Sequence, residues 1–375
     1  MLNQLELFCE KTAAQVVETG GLAVARDAAV DRALGANAPC AVSVSGGKDS
    51  FAAAIATHAH LEAIGHTGPR LLIHADLGTV EWADSLPACE RLAAHLGWEL
   101  VVVRRAAGDM MERWESRWAS SLRRYAALET LTLVLPWSTP AMRFCTSELK
   151  TNVILPALRR RYRGEVVVNV TGVRREESSA RAKAPVAAEL PKFRGSHTPI
   201  LSWNPVVTWG EASVFDAIER SGVTGHMAYG LGMSRVSCCF CIMSNGRDME
   251  IAVSAPDNHA IYRRMVALEA ASSFGFQGTR WLADLAPQLL DDALTQAVAR
   301  GKAIAAERQR LEAMIPADLR FRKGVAERLP SREEAALVAS TRQTLCAHFG
   351  IEGAVALDAE GVMALYRERC LPAAA

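Results

Sequence analysis

No stretch of this sequence approaches the ~20 uncharged apolar residues that a membrane-spanning helix needs, which excludes an integral helical membrane protein. The segment Met1–Phe8 lacks the basic region and the long apolar core of a secretory signal, so we expect a cytoplasmic location. In the reducing cytoplasm, the nine cysteines should be free thiols, metal ligands or reactive groups rather than a disulfide framework. Basic and acidic residues nearly cancel, at 42 and 41, so the net charge indicates no class of partner.

The distribution of charge along the chain is more informative than its sum. Between Arg143 and Lys183, ten Lys and Arg residues stand against four Glu residues, which gives this segment a charge of +6. A local excess of this size suits a polyanionic ligand, either a nucleotide or a nucleic-acid backbone. The run Arg159–Arg163 fits a solvated helix face about as well.

A short glycine-rich loop separates a predicted strand, residues 39–44, from a predicted helix that continues from Phe51. Its sequence is Ser45-Gly46-Gly47-Lys48-Asp49-Ser50. The paired glycines let backbone N–H groups turn toward an anion, the helix N-terminus adds its dipole, and Lys48 adds a full positive charge. The loop lacks the four-residue spacer of G-x-x-x-x-G-K-[ST], so it is not a Walker loop. These features predict a phosphate-binding site.

Apolar strands alternate with helices over the first two thirds of the chain. Strands are predicted over 39–44, 70–76, 99–104 and 165–172, and helices over 85–96 and about 108–130. This alternation predicts an α/β fold, with a parallel sheet that helices cover on both faces. Beyond residue 245 the strand signals stop, and helices are predicted over 246–272, 283–313, 331–349 and 359–370. We therefore expect a helical N-terminal preface (1–36), an α/β domain (37–245) and a helical C-terminal domain (246–375).

Two further segments should reach the carboxyl edge of the sheet, where parallel sheets bind their ligands. Asp76 follows the second predicted strand, and a carboxylate there could hold Mg²⁺ beside phosphates or cap a helix. The loop at this position could also face adenine or ribose. Arg174 and Arg181 follow the fourth strand, and the fork of a guanidinium matches phosphate oxygens. A surface salt-bridge network with Glu176 and Glu177 is the alternative role for these arginines.

Three cysteines form a candidate metal or sulfur site. Cys238 and Cys241 have the C-x-x-C spacing that lets two thiolates reach one metal ion or cluster, although the same spacing occurs in redox pairs. Cys145 lies in the basic segment Arg143–Lys150 and strengthens the metal hypothesis. Buried free thiols are the alternative.

The glycine-rich loop resembles the pyrophosphate loop, S-G-G-x-D-S, of the PP-loop ATP pyrophosphatase superfamily. The loop, Asp76, Cys145–Lys150, Gly172–Arg181 and the C-x-x-C pair occur in the order typical of the phosphoadenosine phosphosulfate (PAPS) reductase family in its broad sense. That family includes sulfonucleotide reductases and the ATP pyrophosphatases of DNA phosphorothioation (the Dnd and Ssp systems), and the chain is most similar in type to the latter. The resemblance covers about residues 35–245 and implies an adenine nucleotide alpha-hydrolase-like fold, of HUP or Rossmann-like type.

The resemblance also implies roles for individual residues. ATP would bind with its pyrophosphate in the loop, together with Mg²⁺, and Lys48, Asp49, Cys145 and Arg174 would take part in catalysis. The nucleotide-binding residues would be Ser45, Gly46, Gly47, Lys48, Asp49, Ser50, Asp76, Gly172, Arg174 and Arg181.

The sequence departs from the reductase pattern in two places. Adenylyl-sulfate reductases hold a [4Fe-4S] cluster with a Cys-Cys pair and a C-x-x-C pair, and here Thr146 stands in place of the second cysteine. The remaining cluster ligands would be Cys145, Cys238 and Cys241, with Cys239 as a fourth candidate and zinc as the rival metal. The reductase tail Glu-Cys-Gly-(Leu/Ile)-His is also missing, because neither Cys370 nor Cys346 has these neighbours.

We therefore expect an ATP pyrophosphatase that adenylates a substrate and releases pyrophosphate for sulfur transfer, with nucleic acid, first of all DNA, as the acceptor. A sulfur donor such as a cysteine desulfurase would be its partner, and a homodimer is compatible with the sequence. Two alternatives stay open. One is a sulfonucleotide (PAPS or adenylyl-sulfate) reductase, and the other is a non-catalytic, nucleotide-sensing, DNA-binding subunit.

Overall fold

The computed structural model describes residues 23–190, 198–321 and 324–369, which divide into two compact units. The first unit combines residues 23–109 with Arg143–Ala252, and the second combines Met110–Met142 with the described residues from Val253 onward. Within the described ranges, no helix has both the length and the apolar character needed to cross a membrane.

The first unit is built on a six-stranded sheet. Its strands are β1 (Cys40–Val44), β2 (Arg70–Asp76), β3 (Glu99–Arg104), β4 (Val167–Val170), β5 (Ala187–Glu189) and β6 (Ile200–Trp203). They lie in the order β3-β2-β1-β4-β6-β5, and all neighbours are parallel except β5 and β6. The connections from β1 and β4 run toward opposite edges of the sheet, which places a ligand crevice at the carboxyl ends of these two strands.

Helices precede, connect and follow the strands. In chain order they are α1 (Ala28–Gly35), α2 (Lys48–Ala63), α3 (Ser85–Leu96), α4 (Met110–Ala126), α5 (Phe144–Thr146), α6 (Asn152–Arg161), α7 (Glu211–Ser221), α8 (Met227–Gly230), α9 (Gly246–Ser254), α10 (His259–Ser272), α11 (Asp292–Met314), α12 (Arg332–Phe349) and α13 (Ala359–Arg369). Helices α1–α3 and α5–α8 belong to the first unit, whereas α4 and α10–α13 belong to the second.

Apolar side chains cover both faces of the sheet. On one face, Val42 of β1 belongs to a buried cluster with Phe51 of α2. On the other face, Ala41 belongs to a second cluster with Leu155 of α6. Successive residues of a strand point to opposite faces, so a continuous apolar run such as β1 needs helices on both sides. The predicted α/β fold with a parallel sheet is confirmed.

Several elements of the first unit were not predicted from the sequence. Strands β5 and β6 have only three and four residues, and β6 interrupts its apolar run with Ser202. Helix α6 follows a π-helical turn at Ser147–Thr151 and contains Pro156, which hides its periodicity. Helix α7 begins at Glu211 without a side-chain cap, so it lacks the usual start signal.

The second unit is helical, as predicted for the C-terminal part of the fold. Its core includes Leu319 and Tyr366, which are fully buried. The fully buried Arg342 of α12 donates to the carbonyl oxygens of Tyr125, at 2.6 Å, and Ala126, at 3.0 Å. These carbonyls end α4, so the guanidinium satisfies them at the negative end of the helix dipole.

The packing divides the chain differently from the predicted domain ranges. The first unit includes residues 23–36 and continues to Ala252. Residues 110–142 fall inside the predicted α/β range of 37–245, but they belong to the second unit. The ranges 1–36, 37–245 and 246–375 stay predictions about domains. The predicted N-terminal preface lies outside the described residues, apart from the short segment 23–36 that contains α1.

Candidate functional site

A cleft of about 740 Å³ opens at the carboxyl edge of the sheet, within the first unit. Its walls include the glycine-rich loop after β1, the segment Gly172–Arg174 after β4, the start of α6 and the segment Ser234–Ser237. Small-molecule sites have volumes of roughly 300–1,000 Å³, so the cleft is large enough for a nucleotide.

The glycine-rich loop turns at Gly46, whose φ of +76° is a left-handed conformation that glycine adopts without strain. The Ser50 hydroxyl closes the turn, because it donates to the Gly47 carbonyl at 2.8 Å and accepts the Ser45 amide at 3.3 Å. The amides of Gly46, Gly47 and Asp49 donate to no other described residue. Since they stand at the N-terminus of α2, these donors and the helix dipole form an anion site.

Lys48 ties the loop to a neighbouring segment. Its side chain is 4% exposed, and its ammonium donates to the Ser234 carbonyl at 2.7 Å and lies 3.1 Å from a Glu211 carboxylate oxygen. Its backbone amide donates to the Tyr229 hydroxyl at 2.7 Å. Glu211 therefore balances the buried charge. Sequence reasoning missed Glu211 and Tyr229, because neither belongs to a motif that could have indicated them.

Arg174 is held against the loop with only 3% of its surface exposed. Its Nε donates to Asp49 Oδ1 at 2.6 Å, and its Nη1 donates to a Glu176 carboxylate oxygen at 2.7 Å and the Trp209 carbonyl at 3.3 Å. Burial favours a lower pKa for this guanidinium, but the hydrogen bond and charge of Asp49, together with Glu176, raise the pKa above its usual value. Arg174 therefore stays charged and oriented beside the anion site.

Gly172 contacts the loop backbone more closely than any side chain would allow. A Cβ at this position would lie 2.4 Å from the Asp49 carbonyl oxygen and 2.6 Å from the Ser50 amide nitrogen. The end of β4 and the first turn of α2 are therefore in direct backbone contact, which only glycine permits. Arg181 lines the same cleft and is paired with Glu177.

The structure brings most of the predicted nucleotide-binding residues to this cleft. Those that line it are Ser45, Gly47, Lys48, Asp49, Ser50, Gly172, Arg174 and Arg181. Gly46 lines a separate, smaller cavity of about 330 Å³ instead.

Asp76 is a second predicted residue that does not line the cleft. Its carboxylate accepts the Gly78 amide at 2.7 Å and pairs with Arg104, whose Nε donates at 3.0 Å. Burial favours a higher pKa for this carboxyl group, but Arg104 and the Gly78 amide lower it. The neighbouring Ala75 lines the cleft instead, because side chains alternate along β2. A magnesium-binding role for Asp76 stays a prediction.

The predicted metal-ligand cysteines lie near one another but not on the cleft wall. Burial raises the pKa of the Cys238 thiol well above its usual value, the charges of Cys241, Glu81 and Cys145 add to this, and Lys150 opposes it. Burial likewise raises the pKa of Cys239, whose backbone amide donates to the Val80 carbonyl at 2.8 Å. The cleft is lined instead by the residues next to two of these cysteines, Thr146 after Cys145 and Ser237 before Cys238.

The donor set of these cysteines does not fit a metal ion or cluster in this arrangement. Among the residues that the structure describes, no three His, Cys, Asp or Glu side chains surround a point where a metal could bind. The iron–sulfur cluster and zinc stay predictions from the sequence, and no catalytic step below depends on them.

His226 has a structural place behind the loop. Its Nδ1 accepts the Ala228 amide at 3.1 Å, which caps α8, and a Cβ on Gly46 would lie 3.0 Å from its ring. Burial lowers the pKa of His226 to about 4; the charge of Asp84 opposes this shift and that of Arg91 adds to it. The ring is therefore neutral at physiological pH and supports the turn by packing.

We expect the His226→Gln variant to lose part of the acid sensitivity of the fold. Above pH 6.5 the ring is neutral in both the folded and the unfolded chain. Between pH 6.5 and 4 the unfolded chain binds a proton that the buried ring does not, so the free energy of unfolding falls as the pH falls. The loss should be about 2 kcal/mol at pH 5. Urea unfolding at pH 7 and pH 5 measures it, and equal losses in both proteins would contradict the assignment.

A parallel sheet that presents a glycine-rich anion loop at its carboxyl edge defines the first unit as a nucleotide-binding α/β domain. The phosphoadenosine phosphosulfate reductase domain family matches residues 39–244, more than half of the sequence, and the chain belongs to this family of enzymes of nucleotide-related sulfur chemistry. The broad family resemblance predicted from the motifs is confirmed.

No curated protein matches the chain. Among solved structures, a phosphoadenylyl-sulfate (PAPS) reductase from Candida auris in complex with phosphate is 17% identical over 53% of this chain and 80% of that chain, with a TM-score of 0.35.

Proposed function

We propose that this chain is an ATP pyrophosphatase that adenylates a substrate and releases pyrophosphate in preparation for sulfur transfer. The observation that carries the proposal is the set of amides of Gly46, Gly47 and Asp49 at the N-terminus of α2, which have no partner in the part of the chain that the structure describes, with Arg174 fixed beside them. Several backbone donors, a helix dipole and an oriented guanidinium suit a leaving group that gains negative charge as it departs.

The proposed activation step is a displacement at the α-phosphorus of ATP. A substrate oxygen attacks this phosphorus, the bond from the phosphorus to the oxygen that bridges to the β-phosphate breaks, and pyrophosphate leaves into the loop. Asp49 and Glu176 hold the Arg174 guanidinium in place before ATP binds, so little reorganisation is needed. Lys48 has a positioning role, because its ammonium is engaged with Ser234 and Glu211. Magnesium would enter with ATP, as part of the substrate.

The proposed acceptor is nucleic acid, with DNA as the first candidate, as in the phosphorothioation systems. The excess positive charge between Arg143 and Lys183 supports a polyanionic substrate. Sulfur delivered as a persulfide, from a donor such as a cysteine desulfurase, would then attack the adenylated acceptor and displace AMP. A second thiol would cleave the resulting S–S bond, supply the two electrons and leave the sulfur on the acceptor. The neighbours of Cys145 and Cys238 line the cleft, which supports sulfur chemistry at its border.

A sulfonucleotide reductase is the second candidate, and family membership favours it. Such an enzyme would release sulfite from PAPS or adenylyl sulfate in a thioredoxin-dependent reaction. Its usual tail cysteine motif is missing from the sequence, and Cys346 lies buried in α12 of the second unit. A nucleotide-sensing subunit is the third candidate; it would bind ATP without forming pyrophosphate in the presence of any acceptor.

We expect two variants to separate activation from sulfur transfer. Asp49→Asn should reduce pyrophosphate release about 100-fold, because a neutral amide removes one of the two carboxylates that balance the charge of the buried Arg174 and leaves only Glu176. Cys241→Ala should keep wild-type pyrophosphate release but stop sulfur transfer. The measurement is turnover of ³²P-labelled ATP to AMP and pyrophosphate with DNA, tRNA or adenylyl sulfate as substrate, alongside incorporation of labelled sulfur. Wild-type pyrophosphate release by Asp49→Asn would show that the site is assigned wrongly.

A further inference from the structure

The two outer strands of the six-stranded sheet differ in how well they are protected from pairing with another strand. Strand β5 closes one edge with three residues, and β3 closes the other edge with six. Natural sheets protect their edges with short strands, charges, proline or bulges, because unpaired backbone groups recruit further strands. The interior of β3 is the apolar run Leu-Val-Val-Val over 100–103, and its register with β2 continues without a bulge.

The outer side of the β3 backbone has no partner in the part of the chain that the structure describes. Strand β2 is the one described strand that pairs with β3. Residues 99–104 take part in no other backbone–backbone hydrogen bond among the described residues. A strand at the edge of a sheet uses only half of its N–H and C=O groups, so the other half can bond to an added strand.

The side chains of β3 are also incompletely covered. Val102 is 45% exposed, although it belongs to a strand of the main sheet. Leu100 on one face, and Val101 and Val103 on the other, are only partly buried against the two apolar clusters of the first unit. The strand therefore offers both the free backbone groups and the apolar side chains that strand pairing requires.

The sequence of β3 suits antiparallel pairing with a second copy of itself. A twofold axis perpendicular to the sheet keeps each side chain on its own face, so residues must meet at an even offset. With the axis at Val102, this residue meets Val102 of the partner subunit, and Val101 meets the partner's Val103. Glu99 then meets the partner's Arg105, so opposite charges pair at both ends. Glu99 keeps its own Arg161, whose Nη1 donates to it at 2.9 Å.

We propose that β3 is a dimerisation edge, through which two copies of the chain pair antiparallel across a twofold axis at Val102. The two six-stranded sheets join into one continuous sheet. Strand β2 separates β3 from β1, so each protomer keeps its own cleft at the ends of β1 and β4. The inference does not depend on the proposed function, because it uses no residue of the nucleotide site.

Sedimentation velocity of the full chain over a range of concentrations tests the interface. The wild type should form a dimer that dissociates on dilution. Val102→Glu should raise the dissociation constant at least about 100-fold, because it places two carboxylates opposite each other at the axis. Val355→Glu is the matched control, since Val355 of the second unit is also 45% exposed, and it should keep the wild-type constant. Thermal unfolding checks that both variants are folded.

Cysteine cross-linking tests the register with milder substitutions. Val102→Cys should form a disulfide between two copies under mild oxidation, because directly opposite residues have Cα atoms about 4.5–5.5 Å apart. Leu100→Cys should not, because the two copies of residue 100 are displaced by four positions, about 13 Å along the strands. The wild type, oxidised in the same way, shows how much cross-linking the native cysteines contribute.

Three outcomes would overturn the proposal. A wild type that is monomeric at every concentration would show that β3 does not pair with a second copy, which leaves the edge to a strand of another protein. A dimer that Val102→Glu does not weaken would have its interface elsewhere. Cross-linking of Leu100→Cys as readily as Val102→Cys would contradict the pairing at Val102.

Discussion

The Gly172→Ala variant should bind ATP about 100-fold more weakly than the wild type. Its methyl group would lie 2.4 Å from the Asp49 carbonyl oxygen and 2.6 Å from the Ser50 amide nitrogen. Both are backbone atoms of the first turn of α2, which cannot rotate aside as a side chain can. The turn must therefore move, and it carries the amides of the anion site with it. Forced shifts of this kind in a packed region cost about 3 kcal/mol.

Gly210→Ala is the matched control for this prediction. Gly210 precedes α7 with an ordinary φ of −78°, and a Cβ there would meet only a Glu176 carboxylate oxygen, at 3.8 Å. Its affinity for ATP should be unchanged. Calorimetric titration with a non-hydrolysable ATP analogue measures both variants, and thermal unfolding checks that each is folded. Wild-type affinity in a folded Gly172→Ala protein would mean that ATP does not use the loop.

Arg174→Lys should reduce the rate of pyrophosphate release about 10- to 100-fold even though it keeps the positive charge. Arg174 makes three hydrogen bonds at once, to Asp49, Glu176 and the Trp209 carbonyl, through two different nitrogens. A lysine ammonium is a single point charge and cannot reach all of these partners from one position. A charge-assisted hydrogen bond contributes about 1.5–3 kcal/mol, which sets the size of the expected effect.

The adjacent arginine provides the control. Arg175 is exposed, and its side chain donates from Nε to the Ala184 carbonyl at 3.0 Å. Arg175→Lys should therefore release pyrophosphate at the wild-type rate. Equal loss in the two variants would indicate that the activity depends on positive charge in this segment rather than on the oriented guanidinium of Arg174.

The sequence was sufficient to predict the parts of the site that are local in the chain. Strand β1, the glycine-rich loop and helix α2 follow one another without a gap. The apolar run of the strand, the glycines of the turn and the start of the helix therefore indicate the anion site together. The same reasoning located strands β2 and β3 at their observed bounds, 70–76 and 99–104. Family membership followed from motifs that span most of residues 39–244.

The parts that were not predicted depend on contacts between distant segments. Glu211 pairs with Lys48 across more than 160 positions, and no spacing rule reports such a pair. Asn169 was part of an apolar strand pattern, and only the register with β1 and β6 shows that it faces the cleft. Asp76 lies outside the cleft because successive side chains of β2 point to opposite faces of the sheet. An error of one residue in the predicted strand would exchange the two faces.

The hydrogen bonds of Lys48 restrict the movement of the segment that leads to Cys238. Lys48 donates its backbone amide to the Tyr229 hydroxyl and its ammonium to the Ser234 carbonyl. The Cys239 amide donates to the Val80 carbonyl. The chain between Ser234 and Cys238 is too short to absorb a large displacement. We therefore expect a movement of Cys238 toward the cleft to disturb the contacts of Lys48, and with them the glycine-rich loop.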